Sequence, residues 1–253
     1  MAKDKSKADF KIQSEPETFQ EKAEEFFKTY RDMLGYVALG IVVVVGLGLL
    51  LHFNAEAKEK QASMIFQNAV TSYQKLVTGS PPNQEGEIDQ TVENTAKEVT
   101  GKLNEVIDNY PKTKAATQSL YLLGTTHLNS GQYQKAIDIF DQFIVSNPDH
   151  ILVSHAKLGK ATAYDFLNQL DQSISILEEI RQQHPEFKLA DIVAYELAKR
   201  MEKKEDWEKA RSIYQEMIDT YPDSGWISYA QTRLTDVNKK HPLPEEVNDD
   251  NNE

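Results

Sequence analysis

No cysteine occurs among the 253 residues. Disulfides, thiolate nucleophiles, cysteine zinc sites and a lipid-modified cysteine are therefore excluded. Chains without cysteine occur in every compartment, so this absence does not locate the protein. Positive charge is also scarce, with 28 Lys and Arg against 40 Asp and Glu and a formal net charge of −12. The deficit is uneven along the chain. Residues 1–33 hold 7 basic and 8 acidic side chains, whereas residues 54–253 hold 21 and 32. So acidic a C-terminal part lacks the basic patch that phosphate backbones require, which argues against DNA or RNA as a ligand. The same charge opposes docking of this part onto anionic lipid.

The short motifs of catalysis are missing too. There is no G-x-x-x-x-G-K-[ST], G-x-G-x-x-G, H-E-x-x-H or G-x-S-x-G. Thr100-Gly101-Lys102 lacks the earlier glycine of a phosphate loop and falls inside a helical pattern. The six histidines are scattered. His150 and His155 are the closest pair, and a five-residue spacing turns them to different faces of a helix. Paired carboxylates such as Glu178-Glu179 lie among many other charges and read as a solvated face. The expectation is a protein that is not an enzyme, with no cofactor, no metal and no small-molecule substrate.

What the chain does have is a period. Pro111, Pro148, Pro185 and Pro222 are each 37 residues apart. Between Leu120 and Pro148 the pattern is Leu120, Leu123, Gly124 and His127, then Gly131, Tyr133, Ala136 and Phe140. The frame returns as Ala161, Tyr164, Leu170, Ser173, Leu177 and Pro185, with Lys157, Lys160 and Ser173 as departures. It returns again in Ala194, Leu197, Ala198 and Met201, then Trp207, Ala210, Tyr214 and Pro222. This closely resembles the tetratricopeptide (TPR) pattern, whose usual period is about 34. The resemblance implies a helix hairpin per repeat and a stack of hairpins, because one hairpin cannot bury its own apolar stripe. Small residues at Gly124 and Ala136 are expected where the first helix of a hairpin crosses the second. Tyr133 and Trp207 are expected to start the second helix and wedge against the next hairpin. Each proline ends a hairpin, since the residue before it is pushed out of the helical region. The extra residues fall after each proline, so the expectation is a longer inter-repeat loop with unchanged packing.

Leu34 to Phe53 is twenty residues without Asp, Glu, Lys or Arg. At about 1.5 Å per residue such a helix spans a hydrocarbon core of roughly 30 Å. A cleavable signal peptide is the rival reading, because Ala55-Glu56-Ala57 imitates a cleavage site. Its apolar region would be shorter, about 7–15 residues, and its leading segment brief, whereas 33 residues precede this run. An uncleaved single-pass anchor is expected. Its glycines show no G-x-x-x-G spacing, so the span carries no dimerisation motif of that kind. Lys22, Lys28 and Arg31 precede the run, and only Lys58 and Lys60 follow it within twenty residues. That places the N-terminus in the cytoplasm, and in a Gram-negative bacterium the repeats would then lie in the periplasm.

The expected division has five parts. Residues 1–33 form a cytoplasmic tail, with Ser14, Pro16 and Glu17 as a capping box. Phe19, Ala23, Phe26, Phe27, Tyr30 and Met33 then mark a short amphipathic helix, which either docks a partner or sits at the headgroup level. Residues 34–53 form the transmembrane helix. Residues 54–241 form the repeat domain, with an interrupted first repeat at 54–116, full repeats at 117–153, 154–190 and 191–227, and a capping helix at 227–239. In the interrupted repeat a helix carrying Ala62, Ile65, Phe66, Ala69 and Tyr73 continues from the membrane helix without Pro or Gly between them. A loop from Thr78 to Gln90 follows, then a helix from Val92 to Tyr110. Residues 242–253 form an acidic tail.

A cytoplasmic helix, one span, the stretch ASMIFQNAVTSYQKL and then TPR hairpins together resemble the ancillary SecYEG translocon subunit (YfgM-like) family. The resemblance covers most of the chain. It implies an inner-membrane protein with a periplasmic TPR domain whose partners are translocon subunits, envelope chaperones or unfolded clients. The stretch KARSIYQEMIDTYPDSGWISYAQTRL is more similar to the TPRs of outer-membrane assembly and cell-division coordinators, which implies an envelope scaffold. An organellar import receptor with cytosolic repeats is the third reading.

In TPR arrays the first helix of each hairpin lines a groove. The frame then puts Tyr121, Leu158 and Tyr195 at the fifth position of successive repeats, and Thr125, Thr162 and Lys199 one turn on. These six are the candidate protein-binding residues. With Lys199 as the one cation among them, a terminal carboxylate is a poor ligand, and an extended or helical segment with hydrophobic side chains suits the stripe. The alternative is that Tyr121, Leu158 and Tyr195 only pack beneath neighbouring hairpins.

Overall fold

The structure is a computed structural model that describes residues 18–78, 90–184 and 186–242. The described residues form helices and turns, with no strand. The capping box at Ser14 and Glu17, most of the loop after Thr78 and most of the acidic tail lie outside the described residues. The chain divides into two compact units, Met1–Glu56 and Ala57–Glu253.

Helix α1 is Phe19–Thr78. The amphipathic stretch, the apolar run and the first repeat helix are thus one helix, without the break that separate elements would need. Thr78 closes this helix and Gln90 opens the next, so both ends of the expected loop are helical. Within α1, Lys22–Thr78 contains a stretch long and apolar enough to cross a membrane, none of it buried inside the protein.

The second unit stacks the end of α1 with α2 (Gln90–Asn109), α3 (Lys114–Asn129), α4 (Tyr133–Ser146), α5 (Val153–Phe166), α6 (Leu170–Gln183), α7 (Ala190–Lys203), α8 (Trp207–Thr220) and α9 (Ile227–Lys240). From α2 onward each helix packs on the next in sequence, α3 also touches α5, and α1 is tied to α2 by Ser72, which donates to Glu98 at 2.9 Å. That is the contact pattern of a hairpin solenoid, in which neighbours bury what one hairpin leaves exposed.

The two kinds of turn repeat as faithfully as the helices. After α3, α5 and α7, Gly131, Asn168 and Glu205 adopt positive φ of 74°, 58° and 61°. Each closes a Schellman motif, in which the following N–H donates back to a carbonyl of the preceding helix. These bonds are Gln132 to His127 at 2.8 Å, Gln169 to Tyr164 at 2.8 Å and Asp206 to Met201 at 2.9 Å. The inter-repeat loops use a different device. The N–H of His150, Phe187 and Ser224 donates to the carbonyl of Asn147, His184 and Tyr221 at 3.0–3.1 Å. The carbonyls of those same three residues then accept from Val153, Ala190 and Ile227. The added residues are therefore wound into two consecutive turns, which hold the loop short and polar groups satisfied.

Phe140 and Phe143 are fully buried in the core of the first full repeat, each worth about 1.5–3 kcal/mol by burial. Gly124 is small because of Phe140: a Cβ added there would lie 2.7 Å from its ring. Tyr133 opens α4 and stacks on Phe166 of the next hairpin, with centroids 4.6 Å apart. Trp207 opens α8 and stacks on His241 at 3.7 Å. At α9 the stack ends with a largely polar outer face of Ser228, Gln231, Thr232 and Thr235, all exposed. At the other end, the Glu59 carboxylate accepts from the N–H groups of Lys114 and Ala115 at 2.8 and 3.1 Å and caps α3.

Candidate protein-binding groove

The six predicted residues lie on α3, α5 and α7, but their environments differ. Thr125 and Thr162 are half-buried, and each hydroxyl donates to the carbonyl one turn back, Tyr121 at 3.1 Å and Leu158 at 2.9 Å. Neither hydroxyl is tied to another helix by these bonds. Leu158 is half-buried against the core of the third repeat. Tyr121 is half-buried with its ring 6.2 Å from Phe140 and 5.8 Å from Phe143, and burial pushes its hydroxyl pKa up.

Tyr195 is different, being only 7% exposed. Its ring lies 6.0 Å from Tyr214 and 5.2 Å from Trp226, which the last inter-repeat loop swings over it. Its place is in the core, because Trp226 covers the face that a groove would use. Lys199 is half-exposed and paired within its own helix, with Nζ 3.2 Å from Glu196 and 5.4 Å from the centre of the Tyr195 ring. It shares that carboxylate with Arg200 of the same helix.

The departures from the repeat pattern form polar ties between helices, both within and between hairpins. Arg200 on α7 is 2% exposed. Its Nε donates to Ser173 Oγ on α6 at 2.8 Å and its Nη1 to the Glu196 carbonyl at 2.8 Å. The same guanidinium also pairs with the Glu196 carboxylate and lies 3.4 Å from Asp165 on α5. Ser173 in turn donates to the Ala161 carbonyl at 2.7 Å. Lys203 adds a 2.6 Å pair to Asp165. Lys157 and Lys160 tie α5 to its two neighbours, pairing with Glu179 on α6 at 2.7 Å and Asp141 on α4 at 2.5 Å. Glu202 on α7 accepts from Tyr214 of α8 at 2.5 Å and from Arg233 of α9 at 3.0 Å. Burial first, and that hydrogen bond second, push the Tyr214 hydroxyl pKa well up.

Arg200 and its carboxylate partners were not named by the sequence pattern, although Ser173 in place of alanine was the network's visible trace. Among the described residues no group of three or more His, Asp or Glu is placed to hold a metal ion. Between successive inter-repeat loops, Ile151, His155 and Phe187 line an open cleft of about 550 Å³. The His155 ring meets Phe187 edge-on at 4.8 Å.

Stacked helix hairpins with recurring Schellman turns define an α-solenoid. Residues 118–150, 155–186 and 193–224 each match the tetratricopeptide repeat family, so the solenoid is of the TPR type. No curated protein sequence matches the chain. Solved structures do. The MamA RS-1 ArsTM double mutant has a TM-score of 0.51 at 20% identity, over 71% of this chain and 84% of that one. The nearly identical TPR-like repeats of a putative kinesin light chain from Podosopora anserina give 0.53 at 14% identity, over 70% and 87%. A tetratricopeptide repeat protein from Parabacteroides merdae gives 0.51 at 12% identity, over 70% and 61%. At these identities the likeness concerns the fold alone. TPR repeats are protein-interaction scaffolds, and that is the class of function the repeats imply.

Proposed function

We propose that the chain is a membrane-anchored adaptor that presents a TPR solenoid to polypeptide partners. Leu34–Phe53 is its single span, with the N-terminus in the cytoplasm and the repeats in the periplasm of a cell envelope. Translocon subunits, envelope chaperones or unfolded clients are its partners, and it performs no catalysis. The observation that carries this reading is the surface left by α3 and α5. There Thr125, Leu158 and Thr162 are half-exposed, and neither hydroxyl is committed to a neighbouring helix. Lys199 extends the stripe onto α7 with its charge internally paired. Such a surface suits hydrophobic side chains of an extended or helical segment, docked without a demand for one terminal group.

Replacing Thr125 and Thr162 together by Arg fills this stripe without removing any bond between helices. The expected result is loss of partner capture from detergent-solubilised membranes at unchanged melting temperature. An unchanged set of captured proteins from a folded variant would move the binding surface elsewhere, the loop cleft at Ile151 and Phe187 being next. The identities of the captured proteins distinguish a translocon adaptor from a scaffold of outer-membrane assembly or division. Protease access to the repeat domain in spheroplasts, against intact cells, tests the orientation.

A further inference from the structure

The N-terminal part of α1 carries an apolar stripe that the membrane does not account for. Phe19, Ala23, Phe26, Tyr30, Met33 and Val37 follow one another at spacings of four, three, four, three and four. The apolar run that follows is uniform and leaves this register open to continue through Gly40, Val44, Leu47 and Leu51. A sustained spacing of 3.5 residues is the signature of two helices wound around one seam, not of a helix lying on a flat surface. All the charges whose positions are described between Ala23 and Met33, namely Glu24, Glu25, Lys28, Arg31 and Asp32, fall off this seam. Phe19, Phe26, Tyr30, Met33 and Val37 are 42–88% exposed. The rings of Phe26 and Tyr30 already lie 4.8 Å apart and form one strip.

Lipid headgroups cannot cover all of it. The polar layer on each face of a bilayer is about 5–8 Å thick. On an unbroken helix, Phe26 stands about 12 Å and Phe19 about 22 Å outside Leu34. Tyr30 and Met33 are within reach of headgroups, whereas Phe19, Phe26 and Phe27 are beyond them.

We propose that this seam pairs with the same seam of a second copy of the chain, forming a parallel two-helix coiled coil that runs from Phe19 into the membrane span. The inference rests on the anchoring reading above. Two copies held by the same span, in the same orientation, present identical residues at identical depth. The self-complementary pairing then needs no further register device, because the membrane supplies it. In that pairing each Lys22 flanks the other copy's Phe27, where a cation meets a ring face and not a like charge. The seam thus meets no electrostatic penalty from its flanks.

The absence of cysteine makes the test direct. Single cysteines are introduced in the full chain at Ala23, Phe26, Tyr30 and Met33 on the seam, and at Glu25 and Asp32 on the far face. The purified variants are reconstituted in phosphatidylethanolamine–phosphatidylglycerol vesicles, oxidised and run without reductant, with flotation of the vesicles read in parallel. The expected result is several-fold more disulfide dimer from the four seam positions than from the two controls. Equal, low yields at all six positions in protein that floats with the vesicles would overturn the dimer and leave the anchor standing. Protein that fails to float would overturn the anchor and the dimer with it. Crosslinks to a different polypeptide in native membranes, with none between purified copies, would assign the seam to that other protein and overturn the proposal.

Discussion

Phe140 fills the space that Gly159 leaves. A Cβ on Gly159 would lie 2.7 Å from Phe140 Cζ, and one on Gly124 would lie 2.7 Å from Cδ1 and Cε1 of the same ring. The ring therefore passes between two helices of successive repeats, and both must be glycine where it does. The ring is 1% exposed and has no room to swing. Alanine at either position would gain about 1 kcal/mol of helix propensity. It would lose more, about 1–3 kcal/mol, to overpacking. Gly124→Ala and Gly159→Ala are each expected to lower the denaturation midpoint, and Phe140→Leu should partly rescue both. Rescue failing in both backgrounds would show that the glycines serve something other than the ring.

Arg200 and Ser173 form a hydrogen-bonded pair whose joint removal should cost less than the two separate removals added together. Arg200→Met leaves Asp165 with Lys203 alone and Glu196 with Lys199 alone, and strips the buried guanidinium's hydrogen bonds, at a cost of about 1–3 kcal/mol. Ser173→Ala restores the alanine usual at that position yet strips an acceptor from a buried guanidinium, at about 1–3 kcal/mol. The double variant should be less destabilised than the sum of the two singles, which chemical denaturation of all four proteins measures as a coupling energy. Additive losses would show that the hydrogen bond contributes nothing measurable to the stack.

The small-residue positions make a related prediction. Ala136 and Ala210 have no exposed surface. Replacing either by Leu should destabilise by about 1–3 kcal/mol, since a well-packed crossing has nowhere to put three more carbons. A thermal melt unchanged in both variants would mean that the hairpins do not close at these residues.

The solenoid was legible because its signals are local and repeat. Tyr133, Leu170 and Trp207 each open a helix where the period places them. Tyr133 was legible as a wedge against the next hairpin, but most other side chains that reach between repeats were not. Tyr195 and Tyr121 occupy the same position of their repeats, yet only Tyr195 is covered, because the following loop carries Trp226 there and the smaller Leu152 at the matching position of the Tyr121 repeat. Lys157 and Lys160 looked like lapses from the pattern and are ion-paired, Lys157 to the partner helix of its own hairpin and Lys160 to the preceding hairpin. Gly159 went unnoticed because its reason for being small is Phe140, nineteen residues earlier and on another helix.

Glu205 marks a place where the chain could be improved. It holds φ at 61°, in a turn equivalent to the one where Gly131 sits at 74°. A side chain with a Cβ costs about 1–2 kcal/mol in that region, and glycine costs none of it. Glycine also loses more backbone entropy on folding, which offsets part of the gain. Glu205→Gly is therefore expected to stabilise modestly, by about 0.5–1 kcal/mol, and Gly131→Ala to destabilise by about the same. Calorimetric melts of the two variants should move in opposite directions. Movement of both in one direction would contradict the shared turn geometry.

Two histidines give the repeat domain a weak acid sensitivity in a defined window. Burial lowers the pKa of His127 below its ordinary 6.5, and burial does the same for His155. His127 Nδ1 lies 3.2 Å from Gln132 Oε1, an arrangement that the N–H of a neutral ring can satisfy. Below pH 6.5 the unfolded chain binds protons that the folded chain does not, so stability falls as pH falls through this range. Above about pH 7.5 both states hold neutral imidazole and the effect vanishes. The carboxylates of Glu93 and Glu98 act lower down. Hydrogen bonds from Lys97 and Lys102 hold them below their ordinary 4.5, so any contribution they make is lost only in stronger acid. Melting temperature should therefore decline for the natural sequence as pH is lowered from about 7.5 to about 5.5. A His127→Gln, His155→Gln double variant should start lower, having lost packing, and decline less steeply. Equal slopes for the two proteins across that interval would place the acid sensitivity on other groups.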